Sequence, residues 1–252
     1  MTTKLLLAVG LMISLCLPPA LAGEDVTPPY TQLRTVENMV LGPHARFFYT
    51  GNDDASEVAS FDVRVSRTSM LAARRSPWTR PAKFQGIIRD HVAPYVGPGM
   101  TVCIQVRARD TLGNVEAWPT DRPNICRTRV VHVSKLHRAG PVTVAHHERF
   151  LGGRAFVLHP RARLWLDGVR KGARVGVAMT LLPDEERGGY WTIPGVGAMA
   201  TSWHPPTRRF TEVIDFVNTA EHYGRLTIHW DGLKTQPFEG VAVYPRWMQI
   251  QG

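Results

Sequence analysis

Hydrophobic and polar residues alternate along several stretches of this chain, and no window shows a convincing helical repeat. In residues 58–65 the apolar side chains of Phe61, Val63 and Val65 share one face. Residues 101–109 repeat the pattern, with apolar side chains at every second position. Alternation of this kind predicts strands that bury one face and expose the other.

Turn-forming residues separate these stretches, as in Gly-Asn-Asp-Asp at 51–54 and Asp-Thr-Leu-Gly-Asn at 110–114. The strands predicted in the first half cover residues 45–50, 58–65, 101–109 and 125–133. Those predicted in the second half cover residues 155–158, 164–166, 174–182, 190–193, 210–217, 225–230 and 241–244. Strands at this spacing, without helices, predict an all-β protein of two β-sandwiches, the second of jelly-roll type.

A segment without periodicity divides the two groups of strands. Residues 134–141 read Ser-Lys-Leu-His-Arg-Ala-Gly-Pro, which is typical of a linker. We therefore predict one domain over residues 23–133 and a second over residues 142–252. The length of the chain is sufficient for two such domains, each with its own core.

The first 22 residues have the features of a secretory signal peptide. Lys4 gives a positive start, an apolar run follows, and Ala-Leu-Ala at 20–22 provides small residues for cleavage between Ala22 and Gly23. No other stretch is long enough to span a membrane, so we expect an extracellular protein. Cleavage leaves two cysteines, Cys103 and Cys126, which we expect to pair in an oxidising compartment.

Three ordered motifs in the first half carry a family resemblance. Residues 25–31 (DVTPPYT) match the pattern D-x-T-P-P-x-T, and residues 52–64 (NDDASEVASFDVR) are similar to DDASGVASYDVR. Residues 103–118 are similar to CFRVRARDxxGNxSxW. The region resembles the fibronectin type III-like, or immunoglobulin-like, domains of secreted actinobacterial proteins. That resemblance implies a spacer or interaction module and also pairs Cys103 with Cys126, although Glu57 stands where the family usually has glycine.

The second half carries a looser resemblance. Residues 226–228 (LTI) and 238–243 (FEGVAV) are similar to the ending of β domains that follow such modules in secreted actinobacterial chains. The same ending resembles the last strand of carbohydrate-binding jelly rolls. It implies a binding domain rather than a particular ligand.

The net charge of +9, from 30 basic and 21 acidic residues, raises the question of an anionic partner. The basic residues are mostly arginines spread along the chain, and their densest pairs are Arg74-Arg75, Arg170-Lys171 and Arg208-Arg209. No block of like charges or nucleic-acid module is present in the sequence, so we expect no nucleic acid partner. An anionic cell-wall polymer remains as a candidate.

None of the candidate catalytic or metal-binding residues in the sequence has the spacing of a known site. Asp53, Asp54, Glu57 and Asp62 lack the spacing of an EF-hand, and the aspartates at 53–54 are more typical of a turn. The run His-His-Glu at 146–148 lacks the i, i+4 histidines of a zinc protease. We therefore predict no catalytic residue, no metal and no cofactor.

Aromatic residues offer a different kind of site, because sugars stack on flat aromatic faces. Tyr190, Trp191 and Trp203 are the candidate ligand-stacking residues of the second half, whereas Trp230 alternates with apolar neighbours and is expected in the core. The leading hypothesis is a secreted, non-catalytic interaction protein, extracellular or attached to the cell wall, that binds a glycan or another surface protein. The sequence leaves its oligomeric state open.

Two alternative functions remain open at this point. The first is a secreted hydrolase whose site assembles only in the folded second domain. Its candidate residues are His146, His147, Asp167, Asp184, Glu185 and His222. The second alternative is a structural component of a surface assembly, for which we expect an exposed apolar patch and no pocket.

Overall fold

The structure, a computed structural model, describes residues 25–34, 36–120, 124–183, 190–193, 197–200, 207–219, 224–232 and 234–248. The described residues form strands joined by turns, with three single 3₁₀ turns and no α-helix. The strands are β1 Tyr30–Leu33, β2 Met39–Val40, β3 Phe47–Asn52, β4 Val58–Ser69, β5 His91–Val92, β6 Met100–Asp110, β7 Ile125–Arg129, β8 Val131–His132, β9 His137–Ala139, β10 Val142–His146, β11 Arg154–Leu158, β12 Arg163–Asp167, β13 Arg174–Leu181, β14 Tyr190–Ile193, β15 Gly197–Ala200, β16 Arg209–Thr219, β17 Arg225–Trp230 and β18 Gln236–Tyr244. The predicted all-β class is confirmed.

The first sandwich packs a sheet of order β1-β3-β5 against one of order β2-β7-β6-β4. Strands β4 and β6 pair antiparallel along their whole length, from Val58 opposite Asp110 to Ser69 opposite Met100. The predicted inner face is confirmed, since the apolar positions of β4 and β6 are buried against those of β3.

The second sandwich joins a sheet of order β10-β11-β18-β13-β16 to one of order β15-β14-β17-β12-β9. The alternating residues of β12, β13, β17 and β18 supply most of its core. Trp230 is only 1% exposed, so its predicted place in the core is confirmed. Burying these apolar faces is the main force that holds the two sheets together.

The two sandwiches share a buried junction. Strand β8 pairs with β18, which places His132 opposite Gly240. A Cβ at position 240 would lie 2.6 Å from Val130 Cγ2 and 2.7 Å from Val131 O, so only glycine allows this approach. The outer face of β6 packs here too, and Cys103 is buried in one cluster with residues from β13 and β18.

The Cys103–Cys126 disulfide is present and joins β6 to β7, where the two residues are register partners. The predicted linker, residues 134–141, contains a 3₁₀ turn over Val133–Lys135 and strand β9. The segment therefore continues the second sandwich through its sheet, and the division into domains stays a prediction. Among the described residues, no helix is long and apolar enough to cross a membrane. The predicted signal peptide, residues 1–22, lies outside them.

Candidate functional site

A cleft of about 890 Å³ opens where the two sandwiches meet, and we call it the basic cleft. One wall follows the end of β4, at Met70, Ala72 and Ala73. Another is the loop between β12 and β13, residues 168–174, and a third is the segment after β18, at Pro245, Arg246 and Met248. Gly224, just before β17, completes the lining. The volume lies in the range of about 300–1,000 Å³ that is usual for ligand sites.

Four basic residues line the basic cleft: Arg170, Lys171, Arg174 and Arg246. Arg174 is half-buried and the other three are exposed. None of the described lining residues is acidic. Cationic groups gathered in a concave, partly desolvated surface create a positive potential that attracts anions.

Glycines give the loop between β12 and β13 its shape. Gly168 and Gly172 both have a φ of +82°, a left-handed conformation that other residues rarely adopt. Backbone bonds from Gly168 N to Gly224 O (2.6 Å) and from Gly224 N to Val169 O (2.9 Å) fasten the loop to the start of β17. Val169 is buried, so the loop is anchored while its basic residues remain at the surface.

Hydrogen bonds across the junction fix the walls of the basic cleft relative to each other. Arg170 Nε donates to Leu71 O at 3.0 Å. Trp247 Nε1 donates to Ala72 O at 3.2 Å. Each bond joins a side chain of the second sandwich to the backbone after β4, which fixes the width of the opening.

Asp167 directly precedes the basic loop but does not compensate its charge. It accepts a hydrogen bond from Arg225 Nε at 2.7 Å and lies 3.3 Å from His137 Nε2. Trp165 stacks on His137 with 5.3 Å between ring centroids, and the Arg225 guanidinium lies 5.3 Å from the same indole. These four side chains form a separate, internally satisfied surface on the sheet that contains β12.

The candidate stacking residues fall at the edge of what the structure describes. Strand β14 contains Tyr190 and Trp191, and Trp191 is the register partner of Trp230 on β17. The side chains of Tyr190 and Trp191, and the whole of Trp203, lie outside the described residues. Their part in ligand stacking therefore stays a prediction.

Tryptophans of the first sandwich already have cationic partners. The Arg75 guanidinium lies 4.0 Å from the ring of Trp78, and that of Arg64 lies 4.7 Å from the ring of Trp118. Burial, together with the nearby charge of Arg80, lowers the pKa of Arg64. Cation–π contacts of this kind stabilise an arginine-rich sheet surface.

The residues weighed for a hydrolase have separate environments where they are described. Three lie outside the described residues: Asp184, Glu185 and His222. His147 stacks on Phe210 at 4.5 Å, and its Nδ1 accepts a hydrogen bond from Arg149 N at 3.0 Å. His146 ends β10 in one sheet, whereas Asp167 ends β12 in the other.

Sequence reasoning noticed one part of the basic cleft and missed the rest. The pair Arg170-Lys171 stands out in the sequence as one of the three densest basic pairs. Arg174 and Arg246 give no such signal, because they are 72 residues apart in the chain, from 174 to 246. Pairing of β13 with β18, which places Arg174 opposite Tyr244, brings them together.

Comparison with known proteins finds no matching family model and no matching curated protein. Among solved structures, one similar chain is a carbohydrate-binding module of the β-sandwich superfamily, with 9% identity, a TM-score of 0.39, and coverage of 87% of this chain and 99% of that one. An α-L-rhamnosidase from Dictyoglumus thermophilum has 11% identity and a TM-score of 0.41, over 90% of this chain and 29% of that one. An exo-β-1,3-galactanase from Phanerochaete chrysosporium has 10% identity and a TM-score of 0.34, over 79% of this chain and 54% of that one. These similarities are too distant to assign a function.

Proposed function

We propose that the protein is a secreted, non-catalytic interaction protein, extracellular or attached to the cell wall, and that its basic cleft binds an acidic glycan. The observation that carries the proposal is the group of four cationic side chains lining a cleft of about 890 Å³. Guanidinium groups bind carboxylates through paired, charge-assisted hydrogen bonds. The predicted signal peptide and the disulfide support an oxidising compartment outside the cytoplasm.

An acidic polysaccharide fits the basic cleft better than a catalytic function does. Glycoside hydrolysis generally requires two carboxyl groups facing each other across the substrate, and none of the described lining residues carries one. The hydrolase alternative therefore gains no support from this cleft. The candidate stacking residues Tyr190, Trp191 and Trp203 would add a second contact to the same polymer.

The test compares an acidic polymer with its neutral counterpart. We expect the chain from Gly23 onward to bind polygalacturonate in isothermal titration calorimetry, and to bind methyl-esterified polygalacturonate at least about tenfold more weakly. Affinity for the acid form falls as salt rises, because the Debye length is only about 10 Å at 0.1 M ionic strength. Equal binding of both polymers, or no binding of either, contradicts the proposal.

Two matched double variants assign the binding to the basic cleft. Arg174→Gln with Arg246→Gln removes two cleft charges, and we expect about a tenfold loss of affinity for polygalacturonate. Arg89→Gln with Arg154→Gln removes two exposed charges elsewhere and is expected to change affinity less than about twofold. An equal loss in both variants would show that only net charge matters.

Trp203→Ala, in the same assay, tests the stacking prediction.

A further inference from the structure

Three aspartates from distant parts of the sequence meet at one end of the first sandwich. Asp25 precedes β1, Asp53 follows β3, and Asp110 is the last residue of β6. One carboxylate oxygen from each lies within 4.8 Å of the other two, and we call this group the acidic cluster. Three oxygens bound to one calcium ion, each at about 2.3–2.6 Å, fall within such a distance of one another.

Each carboxylate uses its Oδ1 atom to hold its own turn. Asp25 Oδ1 accepts a hydrogen bond from Thr27 N at 2.9 Å. Asp53 Oδ1 accepts from Ser56 N at 2.7 Å and from Ala55 N at 3.1 Å. These backbone hydrogen bonds hold the pKa of Asp53 below its usual range, and the bond from Ser56 N has the largest effect. The carboxylate of Asp53 is therefore ionised at neutral pH. The turn predicted at Asp53 from the sequence is present, and it uses only the Oδ1 atom of that side chain.

The Oδ2 atoms of Asp25 and Asp53 are the observation that indicates a ligand. Both are inaccessible to solvent, and neither has a hydrogen-bond partner among the described residues. Asp110, the third member, is 2% exposed. No described lysine, arginine or histidine forms an ion pair with any of the three. Buried carboxylate oxygens that have neither a donor nor a counter-charge are strongly unfavourable.

Glu239 is a buried carboxylate whose two oxygens both accept hydrogen bonds from the protein itself. Its side chain is fully buried and lies in β18. Its Oε1 accepts from Thr180 Oγ1 at 2.7 Å and from Thr211 N at 3.0 Å, and its Oε2 accepts from Leu151 N at 2.7 Å and Thr211 Oγ1 at 2.6 Å. All its oxygens are thus paired, whereas the acidic cluster leaves two shielded oxygens without donors and groups three like charges together.

Asn114 forms hydrogen bonds to two members of the acidic cluster, Asp25 and Asp110. Its side-chain Nδ2 donates to Asp110 Oδ2 at 2.8 Å and to Asp25 O at 3.0 Å. Its backbone N donates to Asp110 Oδ1 at 2.8 Å. Supporting bonds of this kind orient the ligand side chains of metal sites.

We propose that the acidic cluster is a calcium-binding site that ties the segment before β1 to the ends of β3 and β6. The donor set consists of carboxylate oxygens, which is the choice of hard cations, and loop-borne ligands tolerate the irregular coordination of calcium better than the strict octahedron of magnesium. Of the four acids weighed from the sequence, only Asp53 takes part, since Asp62 pairs with Arg107 at 2.8 Å.

The calcium proposal is independent of the function proposed for the basic cleft. The acidic cluster lies beside the first residue of β4, and the basic cleft lies just beyond its last. Strand β4 has 12 residues, and at a rise of about 3.3 Å per residue the two sites are separated by roughly 35 Å. Calcium binding and glycan binding can therefore be measured separately in the same preparation.

The direct test is titration of the chelator-treated chain with CaCl₂ and, in parallel, with MgCl₂. We expect one calcium ion per chain, a Kd in the range of about 10⁻⁴–10⁻³ M that is usual for extracellular modules, and at least about tenfold weaker magnesium binding. Calcium at 10 mM is expected to raise the unfolding midpoint by about 3–5 °C. The absence of calorimetric heat and of any midpoint shift contradicts the proposal, as does equal binding of magnesium.

A substitution of Asp53 by asparagine separates a metal ligand from a turn residue. Asp53→Asn keeps an oxygen for the turn but removes a charge, so we expect at least about tenfold weaker calcium binding. The midpoint in chelator is expected to fall only slightly, because the turn keeps an acceptor oxygen but loses the charge on it. Asp54→Asn, at the exposed neighbouring residue, is the matched control and should bind calcium like the unmodified chain. If Asp53→Asn does not fold, Asp25→Asn serves instead, because Asp25 lies outside every strand. Unchanged calcium affinity in a folded variant contradicts the proposal.

Discussion

The two ends of strand β4 lie beside groups of opposite charge. At its first residue the carboxylates of Asp25, Asp53 and Asp110 converge, and two of their oxygens are shielded without a donor. Just past its last residue, Arg174 and Arg246 join two other cations around the basic cleft. Along the strand itself, Asp62 pairs with Arg107 in the ordinary way.

The difference between the two ends concerns geometry as much as sign. The acidic cluster is small and shielded and presents only oxygen atoms, which suits a bare cation. The basic cleft has a volume of about 890 Å³, and three of its four cationic residues are exposed, which suits an extended anion. Like charges brought together by a fold repel each other, and a ligand of opposite charge is therefore proposed for each end.

The largest effect is expected from removing the disulfide. Cys103→Ser with Cys126→Ser opens a loop with a sequence separation of 23 residues, which is expected to lower the free energy of unfolding by about 3 kcal/mol in the chain-entropy model. Urea unfolding measures the change. Because β6 runs between the two ends of the sandwich, the double variant should lose calcium binding and polygalacturonate binding together as the urea concentration rises. An unchanged unfolding midpoint in the double variant refutes the prediction.

A substitution at the junction separates the two ends. Gly240→Ala places a Cβ 2.6 Å from Val130 Cγ2 and 2.7 Å from Val131 O, and overpacking against backbone is expected to destabilise by about 2–3 kcal/mol. We expect polygalacturonate binding to fall while calcium affinity stays within about twofold, since the added Cβ meets Val130 and Val131, neither of which belongs to the acidic cluster. Calorimetry with both ligands checks this, and a parallel loss of both contradicts it.

Glu239→Gln tests whether hydrogen bonding alone makes a buried acid acceptable. An amide retains one acceptor oxygen but presents its NH₂ group to a backbone N–H donor, Thr211 N or Leu151 N depending on its orientation. We therefore expect a loss of about 2 kcal/mol. The loss should be the same with calcium or chelator in thermal unfolding. A dependence on calcium would remove the contrast between Glu239 and the acidic cluster.

The smallest effect concerns Asp62. Burial raises the pKa of this carboxyl, but hydrogen bonds from Gly86 N and the Arg107 guanidinium outweigh burial and hold the pKa below its usual value. Because the folded pKa is lowered, the stabilisation is present above the unfolded pKa of about 3.9 and is lost as the pH falls through the folded pKa. Asp62→Asn is expected to be less stable by about 0.5–1 kcal/mol at pH 7, with the difference disappearing as the pH falls through the lowered folded pKa. A pH-independent difference in urea unfolding contradicts this.

Much of the strand pattern could be predicted because alternation is a local property. The predicted strands at residues 190–193 and 225–230 coincide with β14 and β17. Strands such as β2, β5 and β9 were missed, since they have two or three residues and are set by pairing with distant partners. The predicted polar face of β6 is partly wrong, because Cys103 and Gln105 are buried, Cys103 where the second sandwich packs.

The candidate sites were less predictable than the strands. Asp53 was recognised as a turn residue, which its Oδ1 atom confirms, but the partners of its Oδ2 atom come from residues 25 and 110. Arg170 was visible as half of a basic pair, but its cleft depends on residues that follow β4 and β18. Spacing along the chain contains no information about which loops share one end of a sandwich.

The sequence by itself determined the all-β class, the inner faces of the long strands, the turn at Asp53 and the two cysteines available for a bridge. These properties follow from residue type and from a period of two, which act over a few residues. Only the tertiary structure decided that three aspartates converge and that Arg174 and Arg246 line the same cleft. Sheet order and register bring such residues together, because the burial of apolar faces, and not the charges themselves, selects which strands pair.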